Sequence, residues 1–139
     1  EAKVANAKEV VVWGTGTPKR EFLYSEDMAD ACVFLSNLPD DKYESLLGSD
    51  ESKSGKFEPP LVNVGVGEDV TIKELAETVK QVVGFTGDIV FDTSKPDGTP
   101  RKLMDIGKMS GLSWCPKVSL DAGISKTYLA YVTNIEAIL

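Results

Sequence analysis

The stretch EVVVWGTGTPKREFLYSEDMADA, residues 9–31, decides the fold. Residues 9–13 are a short β-branched run ending at a tryptophan, the pattern of a buried strand. Gly14 and Gly16 follow, and a Thr-Pro step leads to Lys19 and Arg20. Glycines at this spacing suit a tight strand-ending turn. From about Glu26 to Leu38, Met28, Ala31, Cys32 and Leu35 recur at helical spacing. Ser25 stands where an N-cap is expected, and Pro39 ends the helix.

Working outward, residues 40–58 carry six acidic residues against three lysines. With Ser and Gly throughout, this stretch reads as a solvated loop, an acidic insert over 40–60. LVNVG, residues 61–65, reads as a second strand. Thr71 and Glu74 form a capping box that opens a helix, with Ile72, Leu75, Ala76, Val79 and Val83 as its apolar stripe and Gly84 closing it. DIVFD, residues 88–92, is a third strand. A short helix is expected near 105–110. A last helix starts after Ser119, with Leu120, Ile124, Tyr128, Tyr131, Ile135 and Ile138 facing inward. Gly123 weakens its first turn. Trp114 reads as core. The expected class is α/β: a few short strands covered by amphipathic helices, in one domain over 1–139.

Composition narrows the function. The 139 residues carry a formal charge of −7. That balance argues against a general nucleic-acid binder, which needs clustered Lys and Arg. No apolar run approaches the roughly 20 residues of a bilayer helix, so no membrane partner is expected. EAKVANAKEV, residues 1–10, has neither a starting Met nor an apolar signal core. It reads as the tail of an earlier helix, so the chain is expected to be a fragment. Cys32 and Cys115 stand alone, with no metal spacing and no disulfide framework, as in a reduced, cytoplasmic protein. With no histidine, a Ser-His-Asp or Cys-His engine and a His-ligated metal are excluded within this chain. None of the four tyrosines has a lysine four residues on, so the Tyr-x-x-x-Lys proton-transfer pair is missing as well.

Three stretches could carry chemistry. WGTGTPKR, residues 13–20, has two of the three glycines of a dinucleotide fingerprint, and no helix follows at once. A plain strand-ending turn explains those glycines. Trp13 and Arg20 point further: an indole offers a flat face, and a guanidinium forks onto two phosphate oxygens. SKPDGTPRK, residues 94–102, is either a charged surface turn or a stiffened binding loop. Asp97 can accept hydroxyl hydrogens from a sugar, while Lys95, Arg101 and Lys102 can meet anionic oxygens. In YSEDMAD, residues 24–30, Glu26, Asp27 and Asp30 sit in the first turns of a helix, where its positive end stabilises them.

Taken in order, WGTGTPKREFLYSEDMADA, NVGVGEDVTIKELAETV, VFDTSKPDGTPRKLMDI, LSW and VSLDAGISKTY resemble the C-terminal part of the extended short-chain dehydrogenase/reductases that act on nucleotide sugars. WGTGTPKREF with KPDGTPRK most resembles the GDP-L-fucose synthase group among them. The resemblance covers nearly the whole chain outside the acidic insert. It implies a smaller C-terminal substrate domain, with the Rossmann half and its NADP(H) site absent from this chain. It implies epimerisation of a 4-keto sugar followed by reduction with hydride, by an enzyme that is commonly a homodimer. It carries Trp13, Arg20, Asp97 and, more weakly, Lys102 over as contacts to a GDP-sugar substrate. The cofactor fingerprint and the hydride and epimerisation residues have no counterpart here, so the chain alone is expected to be inactive. The alternatives are a stand-alone, non-catalytic nucleotide-sugar-binding or interaction module, or the same portion of another nucleotide-sugar epimerase or dehydratase.

Overall fold

A computed structural model of the chain describes residues 1–46 and 61–136, apart from the side chains of 135 and 136. The elements in chain order are β1 (Glu9–Trp13), β2 (Lys19–Arg20), α1 (Ser25–Ser36), α2 (Asp40–Leu46), β3 (Val70–Thr71), α3 (Ile72–Val83), β4 (Asp88–Asp92), β5 (Arg101–Lys102), α4 (Gly107–Gly111) and α5 (Leu120–Glu136). This is the expected α/β mixture of short strands and helices.

Two small sheets organise the chain. β1 and β4 pair in parallel, from Glu9 opposite Asp88 to Trp13 opposite Asp92. In the second sheet β2 lies centrally, antiparallel to β3 and parallel to β5. Each of its strands has only two residues, and their sequences, KR, VT and RK, show no run that could announce a strand.

The helix boundaries follow local chemistry. Thr71 Oγ1 accepts from Glu74 N at 3.0 Å, and Glu74 Oε2 accepts from Thr71 N at 2.7 Å. The capping box is therefore formed as its sequence implies. α3 ends at Gly84, left-handed at φ 69°. The start of α1 differs from expectation. Tyr24, not Ser25, holds the cap position, without a side-chain cap bond, and Ser25 is the first helical residue. α1 stops at Ser36, and Pro39 precedes α2. Residues 40–46 thus form a helix where the acidic composition implied a loop. Asp40 and Asp41 in its first turn favour it through the helix dipole. The rest of the acidic insert, 47–60, lies outside the described residues, as does Ile138.

Among the described residues the buried core is Ala31, Met109 and Trp114, with Leu23, Phe34, Leu35, Val62 and Val64 packed against it. Trp114 is core, as expected. The buried edge of α1 runs through Asp27 and Ala31, and Met28 is 40% exposed. Leu61–Gly65 makes no ladder among the described residues, contrary to the strand expectation. Val62 and Val64 still alternate with exposed Leu61 and Asn63, as strand residues do, but among the described residues no strand pairs with them. The α3 stripe packs against α5 and faces the β1–β4 sheet across a cavity, without complete burial, and Tyr131 of α5 is exposed. Cys32 and Cys115 are free and exposed. No described helix is long and apolar enough to cross a membrane.

α1 and the segment before α5 are locked by carboxylates. Asp27, 3% exposed, accepts from the backbone N–H groups of Lys117 and Val118 through the same oxygen. Asp30 accepts from Trp114 Nε1 at 2.9 Å and Lys117 Nζ at 3.0 Å. Glu26 lies 3.7 Å from Lys126. These three acids make structural contacts as expected, but to the 114–118 segment and Lys126 rather than to the helix's own positive end. Only Glu26 and Asp27 lie in the first turn of α1.

Candidate functional site

β1 ends at Trp13, and the chain turns through two left-handed glycines, Gly14 (φ 87°) and Gly16 (φ 76°). Both are buried under the 91–98 segment. A Cβ on Gly14 would run into the Asp97 carboxylate, and one on Gly16 would lie 2.5 Å from the Phe91 ring. Only glycine permits both the backbone angle and the approach.

Residues 93–100 lie across this turn and are pinned along their length. Asp92 Oδ1 accepts from Ser94 N at 3.0 Å and Ser94 Oγ at 2.6 Å, which bends the chain after β4. Lys95 Nζ stands 5.6 Å from the centroid of the Trp13 ring, within cation–π range. Asp97 Oδ1 accepts from Thr15 N at 2.8 Å, and Asp97 Oδ2 from Thr15 Oγ1 at 2.7 Å. The Thr15 hydroxyl first, then its backbone N–H, hold the Asp97 carboxyl below its ordinary pKa. Lys19 N donates to Pro100 O at 2.8 Å, and the loop passes into β5.

The β2–β5 ladder sets four cations in two rungs, Lys19 opposite Arg101 and Arg20 opposite Lys102. The first rung is compensated. Asp69, its side chain 5% exposed, hydrogen-bonds Arg101 Nε and lies 3.9 Å from Lys19 Nζ. The Arg101 hydrogen bond lowers the Asp69 pKa, and Asp69 in turn raises that of Arg101. No such carboxylate serves the second rung among the described residues. Arg20 Nη1 donates to Lys19 O at 2.6 Å, and its Nη2 lies against Gly98, where a Cβ would be 3.1 Å away. A guanidinium has five N–H donors, so most remain for a ligand.

The four residues singled out by sequence thus meet in one region. Trp13 is 73% exposed, with Lys95 over its ring. Arg20 lies on Gly98, next to Asp97, and Lys102 is its ladder partner. Asp97 has both oxygens on Thr15, although each keeps a further lone pair for a hydroxyl. Arg101 is committed to Asp69 rather than free for an anion. Thr15, Asp69 and Glu21 escaped the sequence reading. Neither a threonine within the turn nor an acid at 21 or 69 shows in sequence which distant backbone or side chain it will reach. Among the described residues no group of His, Cys, Asp or Glu could hold a metal ion.

Residues 2–46 match the profile of the NAD dependent epimerase/dehydratase family. The chain is 56% identical, over 97% of its length and 36% of the relative, to a putative GDP-L-fucose synthase 2 of Arabidopsis thaliana. A GDP-6-OMe-4-keto-L-xylo-heptose reductase from C. jejuni superimposes with a TM-score of 0.78 at 40% identity, over 91% of this chain and 34% of that one. A GDP-L-fucose synthetase from Naegleria fowleri, solved bound to NADP, gives 0.69 at 29%, over 97% and 37%. The likeness to GDP-L-fucose synthases implied by the motifs therefore extends along nearly the whole chain. The chain spans a little over a third of the length of these relatives.

Proposed function

We propose that this chain, so like the GDP-L-fucose synthases, is the substrate-binding portion of such an enzyme, converting GDP-4-keto-6-deoxy-D-mannose to GDP-L-fucose by epimerisation and NADPH-dependent reduction. The observation that carries the reading is the uncompensated second rung. Arg20 and Lys102 are ladder neighbours with no carboxylate partner among the described residues, while the exposed Trp13 indole ends β1 beneath Lys95 of the pinned 93–100 loop. A diphosphate supplies the missing negative charge, with its oxygens matching the Arg20 fork. Trp13 offers a flat face, and Asp97 an acceptor for a hydroxyl. The GDP in the names of the Arabidopsis and C. jejuni proteins supports guanosine diphosphate as the carrier.

The Gly14–Gly16 turn does not fit a dinucleotide cofactor. It leads into β2, so no helix N-terminus presents its N–H groups to a pyrophosphate. We assign NADP(H), and the groups that move hydride and protons, to a part of the enzyme outside this chain. This portion binds and orients the sugar nucleotide, and alone it is inactive. Two free, exposed thiols accord with a cytoplasmic enzyme.

Arg20→Ala tests the assignment. In the full-length enzyme, loss of a charge-assisted bidentate contact of about 1.5–3 kcal/mol raises KM for the GDP-sugar roughly ten- to a hundredfold. An unchanged KM rejects it.

A further inference from the structure

Glu21 directly follows Arg20, and its carboxylate gathers three backbone donors. Oε1 accepts from Val66 N at 2.5 Å and Gly67 N at 2.6 Å, and Oε2 accepts from Met104 N at 3.0 Å. Val66 and Gly67 lie just ahead of β3, and Met104 lies two residues beyond Lys102. One side chain just past the end of the central strand therefore ties the segments that flank both neighbouring strands. Gly65 is buried against that carboxylate, and a Cβ there would stand 2.9 Å from Glu21 Cδ. The absence of a side chain at 65 is what admits the clamp.

The ladder this clamp serves is only two residues long on either side. So short a pairing does not hold its register alone. Asp69 secures one end, through Arg101 and Lys19. Glu21 secures the other, at the rung formed by Arg20 and Lys102. With its oxygens on backbone N–H groups, the Glu21 carboxylate makes no salt bridge to either cation of that rung among the described residues.

We infer that Glu21 is a positioning residue for the diphosphate: it sets the spacing of Arg20 and Lys102 without touching the ligand. The inference rests on reading those two cations as diphosphate contacts. Glutamine at 21 keeps one acceptor and turns an NH2 donor toward either the 66–67 or the 104 amide, so one side of the clamp opens.

The experiment is steady-state kinetics of the full-length enzyme with Glu21→Gln, Arg20→Ala and the double variant. Glu21→Gln raises KM for the GDP-sugar about tenfold and leaves kcat and the KM for NADPH within about threefold. The double variant is worse than Arg20→Ala by much less than the effect of Glu21→Gln alone, because Glu21 acts through Arg20 and only Lys102 remains to be misplaced. Independent, multiplying effects, or an unchanged KM in Glu21→Gln, overturn the inference. An Arg20→Ala enzyme of normal KM fails the functional reading instead. Wild-type enzyme supplies a readout free of folding effects. Saturating GDP slows amide hydrogen exchange in 65–67 and 103–105 relative to guanosine, and unaltered exchange also overturns the proposal.

Discussion

Gly16 packs edge-on to the Phe91 ring with its backbone at φ 76°, so any side chain there meets strain and collision together. Gly16→Ala is expected to destabilise the protein by about 2–4 kcal/mol, read as a shift in the urea unfolding midpoint. The same bend explains what could be read in advance at this scale. Glycine after a strand names a turn, while the choice of Trp13, Arg20, Asp97 and Lys102 rests on the family resemblance, since side-chain chemistry marks Lys95 and Arg101 as well. Their partners could not be read. Nothing about Thr15 announces that its hydroxyl and its amide both go to a residue in the 94–102 loop. Nor does Asp69 announce that it takes Arg101 out of the set of free cations.

Among the elements, α3 was legible from both ends, because a capping box and a left-handed glycine are local signals. Thr71→Ala should lower stability by about 1 kcal/mol, measurable by the same denaturation. β1 and β4 were legible as β-branched runs. β2, β3 and β5 were not, since a two-residue strand is defined by what lies beside it. Leu61–Gly65 shows the converse: the right alternation, without a partner among the described residues to make it a ladder. The α1 contact offers a sharper test. Asp27→Ala takes the buried acceptor from two part-buried N–H groups and is expected to lose about 2–3 kcal/mol. Asp27→Asn should lose about 1 kcal/mol, because a single oxygen receives both bonds and an amide carbonyl can replace it.

At the scale of the molecule, every group held below its ordinary pKa among the described residues is a carboxylate. Asp30, held by the Trp114 indole and then Lys117, Asp69 by Arg101, Glu74 by the Thr71 amide and then its hydroxyl, and Asp97 by Thr15 all titrate below their ordinary values. A group whose pKa is lower folded than unfolded contributes fully above its unfolded value. That contribution is lost as pH falls through the folded one. With no histidine in the chain, the unfolding midpoint should be level from about pH 6 to 8 and decline below about pH 4. A midpoint that already falls between pH 7 and 6 contradicts this account. The α/β class was legible at this scale from strand and helix signals in order, while the pairing of the sheets was not.

The parallel pairing of Glu9–Trp13 with Asp88–Asp92 joins two strands that lie far apart in sequence. Such a contact closes late, since a long stretch of backbone must first be brought round. During synthesis on the ribosome, the valines of the first strand wait without their neighbour until residue 92 has emerged. Refolding from denaturant repeats that interval at whatever protein concentration is chosen. Recovery should therefore drop as concentration rises, with aggregates seeded by the valine run rather than by the better-covered tryptophan core.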